Sequence, residues 1–340
     1  MDRAPLGLLD LLSLSKIYKM IIITGAAGFI GSNILSGLNE RNYKDIVLVD
    51  DFSKEEKLVN YRDKTYTELV DRTDFISWLG KNHTYVQIIL HMGARTDTAE
   101  SDWDTFLNLN LEYSRNLWVK CLEYGLPLIY ASSAATYGAG ELGYEDKHES
   151  IPGLKPLNPY GRSKNEFDKW VLEQERKPFF WAGLKFFNVY GPNEYHKGRM
   201  ASVVYHAYNQ IKETGMMKLF RSHHPEIADG NQARDFIYVK DIVEAILFLM
   251  ENRPQSAIYN LGTGRARTFH DLVSSTFKAL DLEERIEFVD TPEDIRDNYQ
   301  YFTEARMQKL QSCGYVKPFT TLENGIYDYV VNYLEKSAIR

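Results

Sequence analysis

Cysteine is nearly absent from this chain of 340 residues: Cys121 and Cys313 are the only two, and they lie far apart in sequence. Two lone cysteines build neither a disulfide framework nor a zinc site, and they fit a reducing compartment, so a cytoplasmic location is expected. Long apolar runs are missing as well. No stretch approaches the roughly 20 residues that span a bilayer, which argues against a membrane partner. Nor is there an excess of basic charge. Lys and Arg total 40 against 47 Asp and Glu, a formal net charge of −7, which argues against nucleic acid or an anionic membrane as the main partner. No histidine sits in a cluster of acids or cysteines, so no metal site is implied.

What is present is ordinary in bulk. Hydrophobic residues make up 44% and charged residues 26%, a balance typical of a globular chain. The length suggests one large domain or two unequal ones. Tyrosine is unusually common at 23; a ring that buries while its hydroxyl still bonds suits polar ligand pockets or subunit contacts. The first 19 residues, MDRAPLGLLDLLSLSKIYK, do not read as a signal peptide, because Asp10 interrupts the apolar stretch and no A-x-A cleavage pattern follows. They read as a non-functional extension, with an amphipathic docking helix as the alternative.

The strongest local signal is MIIITGAAGFIGSNILSGL. Ile21, Ile22 and Ile23 form the β-branched run of a buried parallel strand. Gly25, Gly28 and Gly31 follow, then Ile34, Leu35 and Leu38 at helical spacing. Strand, glycine turn and helix is the context a dinucleotide fingerprint needs. Glycines let the backbone turn tightly and approach the pyrophosphate, and the helix N-terminus offers unpaired N–H groups and positive potential. The next strand, DIVLVDD, ends in Asp50 and Asp51, about 20 residues on, where an acid normally holds the adenosine ribose hydroxyls. Lys57 and Arg72 downstream could neutralise a 2′-phosphate and admit NADP, while Asp51 adds negative charge and favours NAD.

VQIILHMGA, TFLNLNLEYSRNLWVKCLEY and LPLIYASSAATYG continue as strand, helix and strand. This alternation predicts a Rossmann-type, doubly wound parallel sheet over 20–187, with a smaller mixed α/β substrate domain over 188–340 interleaved with it. The carboxyl ends of the strands should line one crevice where ligands bind. The loops HMGART and SSAATYG leave such ends, so chemistry is sought there.

Ser133 lies in SSAATYG, and Tyr160 and Lys164 lie in NPYGRSKNEF at i, i+4, which stacks them on one helix face. A lysine beside a tyrosine favours phenolate, so the phenol can exchange a proton near neutral pH. Alone, such a pair is more often an ordinary surface pair. Together, the Gly25, Gly28, Gly31 fingerprint, the SSAATYG strand end and Tyr160/Lys164 resemble the extended short-chain dehydrogenases/reductases that act on nucleotide sugars. The resemblance implies that a nicotinamide takes a hydride from a sugar carbon while Tyr160 removes the hydroxyl proton. It also implies that Ser133 bonds the same hydroxyl and that Lys164 holds the nicotinamide ribose.

FNVYGPNEYHKGRMASVVYH, RDFIYV, NLGTGRARTF and YQYFTEA resemble the branch of that family that epimerises carbon 6 of an ADP-linked heptose. The resemblance covers nearly everything from Met20 to the C-terminal helix, and it implies an ADP-heptose partner, a homo-oligomer, and NADP as cofactor with NAD as the alternative. It also implies that Lys197 is a second acid/base. Hydride leaves one face of the carbon and returns to the other, and one tyrosine does not serve both faces equally. From the residues alone, Lys197 is equally a diphosphate cation or a solvated loop lysine.

The same resemblance puts Phe29 and Ile30 in the fingerprint turn, and Asp50, Asp51, Lys57 and Arg72 at the adenosine end. It puts Met92, Gly93, Ala94, Arg95, Thr96, Asn110, Val189 and Lys197 on the cofactor. Asn188, Arg199, His206, Phe220, Arg221, Ser222, His223, Arg234 and Tyr299 fall on substrate positions. Arg234 has an independent reason, since a guanidinium forks diphosphate oxygens bidentately; a structural ion pair is its bland reading. The chain departs from the family in HKGRMAS, where the family usually has HKGSMAS, and in the longer FRSHHPEIADGNQARDF loop.

The nearest rivals are a UDP-sugar 4-epimerase, which needs no Lys197, and a 4,6-dehydratase, which usually wants an acid pair where Ala134, Ala135 and Thr136 stand. A non-catalytic sensor or scaffold would need none of Ser133, Tyr160, Lys164 and Lys197.

Overall fold

The computed structural model of the chain describes residues 19–292, 296 and 300–340. The N-terminal extension, apart from Lys19, and Tyr299 lie outside the described residues.

The Ile21–Ile23 run forms β1 (Met20–Thr24), and β2 (Ile46–Asp50), β3 (Glu68–Asp71), β4 (Val86–His91), β5 (Leu128–Ser133) and β6 (Trp181–Phe186) follow with helices between them. Next come β7 (Asn188–Tyr190), β8 (Met217–Phe220), β9 (Ala233–Arg234), β10 (Phe236–Tyr238), β11 (Ala257–Leu261), β12 (Arg267–Thr268) and β13 (Ile286–Val289). The main sheet has seven parallel strands in the order β11-β6-β5-β4-β1-β2-β3. Every residue of β2 and β6 is buried, because helices cover both faces; this is why these strands read as apolar runs rather than alternating patterns. The winding reverses between β1 and β4, which opens a crevice at their carboxyl ends.

The helices that shape the site are α1 (Phe29–Glu40), α2 (Phe75–Asn82), α3 (Trp103–Phe106), α4 (Tyr113–Tyr124), α5 (Pro159–Glu173), α6 (Val203–Thr214), α7 (Val239–Asn252) and α8 (Phe269–Ala279). A π-helical turn, Leu107–Glu112, joins α3 to α4. Local chemistry sets the starts. Asn158 caps α5 by accepting from the Gly161 N–H at 2.8 Å, with Pro159 in the first turn, and Ser202 caps α6.

Two hydrophobic cores result. One lies on both faces of the main sheet. The second gathers Val204, Ala207 and Ile211 of α6, Met217 and Leu219 of β8 and Leu272 and Phe277 of α8. Phe29, at the first turn of α1, belongs to the second core. β7 pairs with β10 and β8 with β13 in parallel, and β9 pairs with β12 antiparallel. The chain returns to the main sheet at β11.

Candidate active site

A crevice of about 830 Å³ runs across the carboxyl ends of β1, β2 and β4, a size that fits a small-molecule or cofactor site. Its floor is the glycine turn. Gly25 holds φ +66°, and a Cβ there would sit 2.6 Å from the Gly93 nitrogen; a Cβ at Gly31 would sit 2.1 Å from the Gly25 carbonyl oxygen. Side chains at these two positions would fill the cradle and break the packing of turn on helix. The N-cap of α1 is Gly28, which contributes no side-chain cap, so the first N–H groups of the helix face the crevice unclaimed by one. Backbone and charge here fit a dinucleotide pyrophosphate.

Asp50 ends β2 and is buried. It accepts from the Ala27 N–H at 2.9 Å, from the Asp51 N–H at 2.8 Å and from Lys57 Nζ at 3.0 Å. Asp51 stands 3.5 Å from Arg72, whose side chain is 43% exposed; its hydrogen bond from the Ser53 hydroxyl and the Arg72 charge hold its carboxyl below the usual range. Lys57 and Arg72 thus each face one of the two acids. Tyr113, at the start of α4, donates to the Arg72 carbonyl at 3.3 Å and also lines the crevice.

The loop after β4 forms the near wall. Thr24 Oγ1 lies 2.6 Å from His91 Nδ1, and His91 Nε2 lies 3.0 Å from Ser114 Oγ; burial pushes the His91 ring down to about 3, so it is neutral. Met92, Gly93, Ala94, Arg95 and Thr96 line the crevice. Asn110 does not. It is buried in the π-helical turn, where its side-chain oxygen accepts from the Arg95 N–H at 2.7 Å and its amide donates to the Arg95 carbonyl and to Ser163. It shapes the loop rather than facing a ligand.

Ser133 ends β5 and Tyr160 begins α5, and both line the crevice. Burial raises the Tyr160 phenol, and its hydrogen bond with Ser133 works against that rise. The lowered phenol expected from Lys164 is not what the structure shows. Lys164 Nζ donates to the Ala131 carbonyl at 2.8 Å, and burial brings the ammonium itself down to about 8. Desolvation outweighs the Ser133 hydrogen bond at the phenol.

Lys197 also lines the crevice, from the helical turn Tyr195–Met200. Its ammonium lies 5.2 Å from the Phe29 ring centroid, and desolvation lowers its proton affinity while Glu194 works against that. Glu194 is fully buried and accepts from the Ser202 hydroxyl and N–H, both at 2.6 Å. His196, beside Lys197, is pushed down to about 4 by burial and by the Lys57 and Lys197 charges. Asn188 and Val189 of β7 complete this side.

Residues 21–262 match the model of the NAD-dependent epimerase/dehydratase family. The chain belongs to that family. A Fusobacterium nucleatum protein named ADP-L-glycero-D-manno-heptose-6-epimerase is 49% identical over 327 residues, which cover 93% of this chain and 98% of its own. A Nitratidesulfovibrio vulgaris protein of the same name is 50% identical over 317 residues, with the same two shares. The crystal structure of Helicobacter pylori ADP-L-glycero-D-manno-heptose-6-epimerase superposes with a TM-score of 0.78 at 27% identity, covering 94% of this chain and 98% of that one.

Within this epimerase fold, other positions taken from the sequence stand away from the crevice wall. Arg199 donates to both Asp97 oxygens at 3.0 Å and its side chain is 67% exposed. It joins the loop after β4 to the Lys197 turn rather than reaching inward. His206 Nε2 lies 3.4 Å from the Arg199 carbonyl and the residue is exposed. Phe220 ends β8. Arg221 faces Asp290 at 3.6 Å and Asp229 at 4.0 Å, the Ser222 N–H bonds Asp229, and the His223 N–H bonds the Tyr301 hydroxyl. Arg234, buried in β9, donates to the Ala233 carbonyl at 2.9 Å and to the Gln300 carbonyl. Among the described residues no group of three or more His, Cys, Asp or Glu could hold a metal ion, and no helix is long and apolar enough to cross a membrane.

Sequence reasoning missed three residues that shape the site. Glu194 sits three positions before Lys197, a spacing that could have exposed the pair. Asp97 is visible as an acid in the HMGARTD loop, but nothing local assigns it to Arg199. His91 reads as one more strand-end residue until β1 and α4 are seen around it.

Proposed function

We propose that the protein converts ADP-D-glycero-D-manno-heptose to ADP-L-glycero-D-manno-heptose, a precursor of lipopolysaccharide core heptose, by transient oxidation at carbon 6 with a tightly held NADP. The observation that carries the reading is the meeting of Tyr160, Ser133 and Lys197 in the crevice that holds the glycine turn.

Hydride transfer from carbon 6 and back is the chemistry that a bound nicotinamide would supply. The rest belongs to this chain. Ser133 orients the hydroxyl at carbon 6, and Tyr160 takes its proton as the hydride departs. Lys164, one helical turn on, supplies positive charge beneath the site. The keto sugar turns over, and Lys197, from the Tyr195–Met200 turn, handles the proton of the second half-reaction. Burial supports this role, because an ammonium with lowered proton affinity exchanges its proton more readily near neutrality. Two proton carriers from different elements, α5 and the Tyr195–Met200 turn, serve two faces of one carbon.

For the cofactor, the support for NADP over NAD is the pairing of cations with acids. Lys57 offsets Asp50, and Arg72, partly exposed and touching Asp51 at only 3.5 Å, has donors to spare for a 2′-phosphate. The sequence resemblance supports Asn188, in the crevice wall, and Arg234 and the segment Phe220 to His223, beyond it, as substrate-side residues, with the Arg234 guanidinium matched to the diphosphate. Self-association to a homo-oligomer belongs to the same reading, with light scattering as its check.

Proton NMR of purified protein incubated with ADP-D-glycero-D-manno-heptose and no added cofactor tests the proposal. The expected result is conversion to the L-glycero form, with NADP released on denaturation. A folded protein that leaves the sugar unchanged even with NAD and NADP supplied overturns it.

A further inference from the structure

Beneath the crevice lies an ion pair that the mechanism above does not use. Lys185 of β6 and Asp168 of α5 are 2.7 Å apart, and neither side chain exposes any surface. The pair is fully bonded. Asp168 also accepts from the Ser132 hydroxyl at 2.6 Å and from the Tyr130 hydroxyl at 3.1 Å. Lys185 also donates to the Thr136 hydroxyl at 2.6 Å and lies 5.1 Å from the Tyr137 ring centroid. Four segments meet there: the end of β5, the turn after it, α5 and β6.

Stability alone does not account for such a pair, since desolvation consumes most of what two buried charges gain from each other, and an apolar pair of similar volume is often as good. What the charges add is direction. Ser132 and Thr136 bracket Ser133, and Asp168 lies on the helix that carries Tyr160 and Lys164. One bonded set therefore grips both pieces of the catalytic machinery from below. The 2.6 Å bond from Ser132 to Asp168 and the 2.7 Å pair of Asp168 with Lys185 permit little slip of α5 along β5 and β6.

We infer that Asp168 and Lys185 are positioning residues, a buried clamp that fixes the Ser133 strand end against the Tyr160 helix and thereby sets the proton-transfer geometry. The inference rests on the proposed epimerase reading. The clamp acts on the reacting geometry and leaves substrate contacts alone, so its loss lowers kcat and spares KM.

The test is the double variant Asp168→Asn with Lys185→Met, which removes both charges together and keeps the volume. Wild-type turnover is measured first, on ADP-heptose and, should that fail, on UDP-galactose, so that failure of the substrate reading is separated from failure of the clamp. The expected result is a folded variant with wild-type cofactor content, KM near that of wild type and kcat down about tenfold to a hundredfold, as a misplacement on the ångström scale produces. The alkaline limb of the kcat profile should also move to lower pH, because Asp168 and His91 are the titratable neighbours of Lys164 and Asp168 favours its charged form. Retention of kcat within about twofold, with the limb unmoved, overturns the inference. Should the double variant fail to fold, Thr136→Val cuts one hydroxyl from the clamp and strands no charge. It should lower kcat several-fold at constant KM, and an unchanged kcat there is equally fatal.

Discussion

At the level of single residues, desolvation is the largest influence on both proposed proton carriers, Tyr160 and Lys197. Burial raises the proton affinity of the Tyr160 phenol against the pull of its Ser133 hydrogen bond, and the same cause lowers that of Lys197. Replacing either removes a positioned acid/base, which is worth about 10²–10⁴-fold. Tyr160→Phe should lose that factor in kcat with the fold intact, as circular dichroism would register. Lys197→Met should fall as far on the heptose, whereas an enzyme with 4-epimerase chemistry would survive it. Near-wild-type turnover of Lys197→Met on ADP-heptose would remove Lys197 from the mechanism. Tyr160 and Lys164 were legible in the sequence because i, i+4 spacing after a dinucleotide fingerprint is specific. The direction of the phenol shift was not, because it depends on how deeply the helix start is covered, and no local pattern states that.

Between elements, short polar links decide the geometry. Arg199 and Asp97 tie the loop after β4 to the Lys197 turn with two 3.0 Å bonds across an exposed gap. An exposed pair of this kind contributes up to about 1 kcal/mol, whereas a guanidinium on a diphosphate contributes about 1.5–3 kcal/mol. Arg199→Ser, which restores the residue usual in the family, should therefore change kcat/KM by less than about fivefold. A rise in KM of about a hundredfold would instead put Arg199 on the substrate.

His91 links β4, β1 and α4 through Thr24 and Ser114. Its folded proton affinity is pushed down to about 3 from 6.5, so below pH 6.5 the unfolded chain binds the proton and the folded chain does not. The resulting stability is fully present above pH 6.5 and is lost as pH falls from there toward 3, at about 1.4 kcal/mol per pH unit. His91→Asn should flatten the wild-type stability curve by about that slope between pH 6 and 4 in urea titrations. Parallel curves for the two proteins would mean that His91 titrates normally. The strands of the main sheet were readable because helices on both faces demand unbroken apolar runs. β7, β9, β10 and β12 span only two or three residues each, too short for any period to show. The clamp of Asp168 and Lys185 likewise hides in α5 and β6, where its members read as unremarkable charges.

Across the whole molecule, the crevice is bounded by residues of both cores. Val49 and Phe186 sit on the main-sheet side, and Val204, Phe236 and Leu272 on the side of the second core. Phe29, at the mouth of the dinucleotide turn, packs into the second core. The sequence revealed the fingerprint. It did not reveal that the first turn of α1 joins the two cores, since that follows from which neighbours close over Phe29. A ligand held along this seam stabilises both cores, and one that binds only the folded chain adds about 2.7 kcal/mol at a hundred times its Kd. For a chain of this size that corresponds to a rise in Tm of about 4 °C. Protein stripped of nucleotide should therefore melt lower by about that amount. At equal subsaturating concentrations NADP should restore Tm more fully than NAD, because only NADP offers the phosphate that Arg72 and Lys57 can bind. Arg72→Ala should then erase most of the difference between the two nucleotides while leaving the NAD shift in place. Equal shifts from NAD and NADP in the wild-type protein would assign Lys57 and Arg72 to neutralising Asp50 and Asp51 alone, and the cofactor would be NAD.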